Sequence, residues 1–212
     1  MLFRSRITKP GYTIDELPNI DLLLVSHAHL DHWQPKDVQK LKSKVRHIVI
    51  PHNCADRLPR QHDMHVHELT WNDHLDIDGL SIQTFKPKHW GELTPWSNKN
   101  RGYNSYLLEK DGLKIFVCGD SAWCDMFDTV GEVHKGIDLA FLPIGAYAPR
   151  EQLNGVHMSP EQAIDAFLAL GAKKLIPYHY DTFMLAWEPI GEAPEILRST
   201  AVEQGEIGRA HV

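Results

Sequence analysis

The feature that most constrains this chain is a short apolar run at residues 20–26 that feeds directly into His27-Ala28-His29-Leu30-Asp31-His32. Ile-Asp-Leu-Leu-Leu-Val-Ser has the length and character of a buried strand. His27 and His29 are two apart, so extended backbone sets both imidazoles on one side, ~7 Å apart along the chain. That arrangement suits two ligands of one cation. Asp31 and His32 follow where the chain must turn toward a helix that starts near Pro35 and carries Val38 and Leu41, so they can reach a second, neighbouring position. Neutral imidazole with carboxylate is the donor set of catalytic zinc, iron or manganese centres rather than of thiolate-rich structural sites. A capping-and-turn cluster is the bland alternative. Four ligand-type side chains within six residues, directly after a strand, argue against it.

One loop cannot complete a two-ion site, so further ligand types are expected at the ends of other apolar strands. His89 follows the run at 80–87, Asp120 follows 115–119, and His179 follows 175–178. Each would stand at a strand's C-terminal end, where α/β proteins gather their site residues. Residues 45–50, 80–85, 103–108, 113–118, 137–142 and 174–177 read as strands separated by Gly, Asn, Asp and Pro. Ser159-Pro160-Glu161-Gln162 is a helix start with a capping serine, proline at the first helical position and glutamine at the third. Ala163, Ile164, Phe167 and Leu168 form its apolar face, and Gly171 closes it. The alternation predicts a mixed α/β fold. With 212 residues, 42% of them hydrophobic, the expectation is a single domain over residues 1–205. The tail at 206–212 (Glu-Ile-Gly-Arg-Ala-His-Val) resembles the in-frame translation of a sequencing adapter. It is set aside as non-native, His211 with it.

Taken in order, His-x-His-x-Asp-His, a lone His, Gly-Asp and a final His resemble the metallo-β-lactamase superfamily over nearly the whole chain. The resemblance implies a four-layer αββα sandwich. It also implies that His27, His29 and His89 hold one metal, that Asp31, His32 and His179 hold the other, and that Asp120 bridges them. Two divalent ions are expected, zinc first, with manganese or iron as alternatives. Hydrolysis by a metal-bridging hydroxide follows, because two cations lower the pKa of bound water and polarise the scissile group. Asp31 would orient or deprotonate that hydroxide. His157, just ahead of the capped helix, is placed near the substrate cleft by the resemblance and is counted as catalytic with Asp31 and Asp120. Lys88-His89-Trp90, Gly119-Asp120-Ser121, Leu142-Pro143-Ile144-Gly145-Ala146-Tyr147 and the Asp181-Thr182-Phe183 that follows His179 resemble the N-acyl-phosphatidylethanolamine-hydrolysing phospholipase D group. That implies a phosphodiester such as a phospholipid as substrate. A lactonase of the ascorbate-6-phosphate type is the alternative, and a non-catalytic metal-binding fragment is a third. Only residues 1–19 precede the first strand, where the superfamily has further strands. The fold is therefore expected to be truncated in its N-terminal half as well as at its C-terminus.

A net charge of −6 and the lack of any Lys/Arg run argue against a nucleic-acid partner. The expected partner is a small-molecule or lipid substrate, and nothing specifies an oligomeric state. No apolar stretch has the length of a membrane span, and Met1-Leu2-Phe3-Arg4-Ser5-Arg6 is not a signal peptide, which favours a cytoplasmic protein. Cys54, Cys118 and Cys124 are odd in number and lack zinc-finger spacing, so they read as small core residues in a reducing compartment. Of the 14 histidines, His65 and His67 alternate but no Asp follows them; they read as an exposed strand face. His47, His52, His62, His74 and His134 read as surface or loop residues. Trp33, Trp90, Trp96, Trp123, Tyr147 and Phe183 lie near ligands in sequence and could line an apolar pocket or fill the core.

Overall fold

The apolar runs sort into two sheets. In the computed structural model, which describes residues 6–94, 96, 100–206 and 208, the first sheet holds β1 (Ile20–Leu24), β2 (Val45–Pro51) and β3 (His65–Leu69) in that order, all parallel. The second holds β4 (His74–Ile77), β5 (Leu80–Phe85), β6 (Ser105–Lys110), β7 (Leu113–Val117), β8 (Leu139–Pro143) and β9 (Lys174–Tyr178) in sequential order. Its first four strands are an antiparallel meander, and β8 and β9 then join in parallel. Parallel connections need crossovers, and helices supply them. α1 (Pro35–Leu41) links β1 to β2; α2 (Met126–Val133) links β7 to β8; α3 (Arg150–Leu153) and α4 (Pro160–Leu170) link β8 to β9; and α5 (Glu192–Glu203) follows β9.

Three packed interfaces give the layers. Val38 and Leu41 of α1 cover Val45, Ile48 and Ile50 of the smaller sheet. Val49 and Leu69 meet Ile82, Tyr106 and Leu108 between the sheets. Phe127, Val130, Ala163, Ile164, Phe167, Leu170 and Leu197 cover Phe85, Leu107, Phe116, Ala140 and Leu175 on the far face of the larger sheet. Alternation along each strand sends one set of side chains to each interface. This is the αββα sandwich. At its upper end the sheets are tied through polar atoms: Tyr106 Oη donates to Val25 O at 2.7 Å, Asn104 N to Ser26 O at 2.8 Å, and Asn104 Nδ2 to Leu69 O at 3.2 Å. Ahead of β1, the Lys44 ammonium donates to the carbonyls of Ile14, Asp15 and Leu17.

Local signals hold where the residues are most explicit. Ser159 Oγ accepts from Gln162 N while Gln162 reaches back to Ser159 N, and Gly171 ends α4 with φ 61°; Pro35 opens α1. Strand edges move by a few residues. β6 begins at Ser105 rather than 103, because Tyr103 pairs instead with His27 across the sheets. β4, α2, α3 and α5 add to the elements read from the sequence; His74, expected at the surface or in a loop, is exposed in β4, and His47, within the strand read at 45–50, is half-buried in β2. Cys54, Cys118 and Cys124 are free thiols, the first two buried. Residues 207 and 209–212 of the set-aside tail lie outside the described residues. No helix among the described residues is long and apolar enough to cross a membrane.

Candidate metal centre

Each ligand-type residue stands where a strand ends. His27 is buried just beyond β1. The chain then turns, with His32 N and Trp33 N both bonded to His29 O, which swings Asp31 and His32 back over the strand end. His89 follows β5, Asp120 follows β7 and His179 follows β9. The structure gathers these residues into two groups able to hold a metal: His27, His29 and His89, and Asp31, His32, Asp120 and His179. In each group the ligand atoms lie within 4.8 Å of one another.

Backbone carbonyls set the tautomers. His89 Nδ1 lies 3.0 Å from Val156 O and His29 Nε2 lies 3.2 Å from Glu92 O. A carbonyl only accepts, so each of these nitrogens carries the proton and the opposite nitrogen is a bare lone pair. Those two bare atoms, His89 Nε2 and His29 Nδ1, face each other at 3.4 Å. His27 Nε2 sits 2.9 Å from the same His29 atom, with its Nδ1 held by Ser26 Oγ at 3.1 Å. Lone pairs pointed together repel unless a cation lies among them. Two nitrogens bound at ~2.1 Å in a tetrahedron stand ~3.4 Å apart. The donor set thus fits a first-row divalent ion.

Asp120 joins the groups. Its Oδ2 is 3.8 Å from His27 Nε2 and from His89 Nε2, 3.1 Å from His32 Nε2 and 3.4 Å from His179 Nε2. Asp31 Oδ2 is 3.5 Å from His179 Nε2 and 3.7 Å from His32 Nε2. Asp120 Oδ1 is buried without a hydrogen-bond partner among the described residues. Such an orphan is expected where an ion belongs.

The electrostatics agree. Burial pushes the His27 and His29 imidazoles down, His89 to about 3 and His157 to about 4, so all four are neutral at physiological pH. For Asp120, burial alone would raise the carboxyl, but His179 and His32 outweigh it and hold it well below the usual range. Asp31 is lowered in the same way, with burial outweighed by His179 and His32. His179 goes the other way. Burial would lower it, yet Asp120 and Asp31 raise it to about 9.

Two glycines make the geometry possible. Gly119 has φ 72°, and a Cβ there would stand 2.9 Å from Ser26 Cβ and 3.0 Å from Asn104 O. Only glycine brings the Asp120 turn this close to the His27 strand. Gly145, just past β8, would put a Cβ onto His179 O. His179 itself has φ 61°, a left-handed conformation rare outside glycine.

Two cavities adjoin the cluster. One, of about 220 Å³, is lined by Tyr147, Arg150, Asn154, His157 and Gln162. The other, of about 260 Å³, is lined by Arg6, Asp31, His32, His179, Tyr180 and Phe183. His157 Nδ1 is 3.9 Å from Asp120 Oδ2 and its ring stacks on His179, placing it at the cluster though outside both groups. Trp90 packs its ring 4.2 Å from His89 and is 41% exposed, a rim residue. Trp33 is core, Trp123 packs against the core, and Trp96 is 88% exposed, so these three line neither cavity. His65 and His67 lie in the first half of β3, where His67 Nε2 pairs with His47 Nδ1 at 3.1 Å. Arg6, Arg150 and Asn154 are lining residues the sequence did not single out; no ligand-type spacing marks them.

Comparison with known proteins matches residues 2–180 to the beta-lactamase superfamily domain. The chain belongs to the metallo-β-lactamase superfamily. An uncharacterised Mycobacterium tuberculosis protein is 29% identical, over 93% of this chain and 54% of its own length. A Caenorhabditis elegans N-acyl-phosphatidylethanolamine-hydrolyzing phospholipase D is 25% identical, over 97% of this chain and 65% of its own. The chain thus spans little more than half of the first of these relatives and under two thirds of the second. The structure of a metallo hydrolase from the archaeon Ignicoccus hospitalis superposes with a TM-score of 0.71 at 21% identity, covering 92% of this chain and 76% of that one. It shows the shared fold.

Proposed function

We propose that the protein is a dizinc hydrolase acting on phosphodiesters. The observation that carries the metal reading is the pair of carbonyl-fixed tautomers that leaves bare nitrogens of His29 and His89 facing each other at 3.4 Å. His27, His29 and His89 would hold one ion, Asp31, His32 and His179 the other, and Asp120 both. Mixed nitrogen and oxygen donors without thiolate suit zinc, with manganese or iron as lesser fits. When bound, the two ions supply water activated near neutral pH and polarise the scissile group. The chain's own residues do the rest. Asp31 lines the Arg6 cavity with a carboxylate held ionised by His179 and His32, able to orient the attacking water and accept its proton. His157, neutral and at the mouth of the other cavity, can hydrogen-bond the leaving oxygen.

The phosphodiester reading is supported by the Caenorhabditis relative, whose name gives it a phospholipid substrate, and by the residues at His89, Asp120, Tyr147 and His179 that resemble that group. Elemental analysis of purified protein should give about two ions per chain, falling sharply in Asp120→Ala. A panel of aryl phosphodiesters and lactones then separates substrates. Folded protein that binds no metal would remove the hydrolase reading; turnover of lactones alone would replace phosphodiester with lactone.

A further inference from the structure

The two cavities beside the cluster differ in their cations. In the Tyr147 cavity, Arg150 Nη2 meets Glu161 Oε1 at 2.7 Å and is neutralised. In the cavity that holds Asp31, His32 and His179, Arg6 has no carboxylate partner among the described residues. Its Nε donates to Thr8 O at 3.2 Å, and its guanidinium lies 5.2 Å from the centre of the Phe183 ring. The carboxylate on the adjoining loop, Asp181, turns both oxygens to Gly191 N, at 3.0 and 3.1 Å.

Arg6 is also held in place. Ile7 N donates to Thr182 O at 2.8 Å and Thr8 Oγ1 to Asp181 O at 3.4 Å, so its segment is joined to the loop that carries His179. The guanidinium shares its cavity with Asp31, His32 and His179. In this chain of net charge −6, Arg46, Arg101, Arg150 and Arg198 each meet a carboxylate. A guanidinium without one, packed on an aromatic ring beside a metal cluster, offers a fork of free donors that matches an oxyanion.

We infer that Arg6 is a substrate-binding residue that takes a non-bridging phosphoryl oxygen and makes the site selective for anionic diesters over neutral esters and lactones. The inference rests on the phosphodiester reading above.

The test compares zinc-loaded wild type, Arg6→Ala and Arg6→Lys on bis(4-nitrophenyl) phosphate and on neutral 4-nitrophenyl acetate, with phenylphosphonate affinity measured calorimetrically. Arg6→Ala should lose about tenfold to a hundredfold in diester kcat/KM, change less than about twofold on the neutral ester, and bind phenylphosphonate about tenfold more weakly. Arg6→Lys should recover part of the loss, keeping the charge but not the fork. Equal losses on both substrates, or an unchanged phenylphosphonate affinity, would overturn the assignment. If wild type leaves the diester intact, the phosphodiester reading fails by itself, and the phenylphosphonate measurement still decides the role of Arg6.

Discussion

His179 carries a proton problem that makes it informative. With Asp120 Oδ2 at 3.4 Å and Asp31 Oδ2 at 3.5 Å, the imidazole is raised to about 9 despite its burial, so without metal it is charged at neutral pH. An imidazole binds a metal only through the lone pair of its neutral form, so uptake of the ion on this side of the cluster has to expel that proton. His89 at about 3 and His157 at about 4 are neutral already and release none. Zinc affinity should therefore rise as pH climbs from 7 to 9, by up to about tenfold per unit, and level off above. Calorimetry in two buffers of different ionisation enthalpy should read at least about one proton released per chain near pH 7.5, that of His179, with any further release coming from water activated by the ions. An affinity that is flat across this window would mean that His179 is neutral before the ion arrives. At this scale the His27–His32 cluster was legible because its ligands are adjacent in sequence. Arg6 was not: its place beside the cluster depends on the bond that its neighbour Ile7 N donates to Thr182 O, across nearly the whole chain.

Elements position these residues through their ends, and two ends can be tested. Gly145 terminates β8 against the His179 backbone, so Gly145→Ala forces either β8 or the His179 turn to move. Overpacking of this kind costs about 1–3 kcal/mol. Bound metal in the variant should fall from about two ions toward one, since His27, His29 and His89 do not depend on that turn. A variant with wild-type stability and metal content would show that the close approach has no consequence. Ser159 caps α4 two residues after His157. Ser159→Ala should lower stability by about 1 kcal/mol in urea unfolding, and activity should fall with it if the start of α4 holds the His157 turn in place. Unchanged activity at reduced stability would separate the helix from the site. The same elements show what sequence can convey. α4 was readable because its cap, its apolar face and its closing glycine all agree. α5 was not, because the face it buries is built partly from Ala193, Thr200 and Ala201, too weakly apolar to register as periodicity. β4 escaped because His-Leu-Asp-Ile is short and half polar, and becomes a strand only by pairing with β5.

For the whole molecule, the cluster lies on the seam between two sheets. His27, His29, Asp31 and His32 come from the end of the smaller sheet, and His89, Asp120 and His179 from the larger. The order of motifs announced that these residues belong together, but not that the chain divides after β3 into a parallel sheet and a largely antiparallel one, because strands of either kind share one apolar pattern. An ion held by residues of both sheets clamps them, adding to the Tyr106 and Asn104 hydrogen bonds that already cross the seam. Without it, bare imidazole nitrogens and the carboxylate of Asp120 are buried facing one another, an arrangement that unfolding relieves. Zinc at a thousandfold excess over its Kd should stabilise the fold by ~4 kcal/mol. For a chain of this size each kcal/mol moves Tm by about 2–4 °C, so chelation should lower Tm by roughly 8–16 °C. Hydrogen exchange should locate the loss at residues 26–33 and 118–121, on opposite sides of the seam. A Tm indifferent to chelation, in protein first shown to contain metal, would mean that the polar ties alone hold the sheets together and that the ions serve chemistry without supporting the fold.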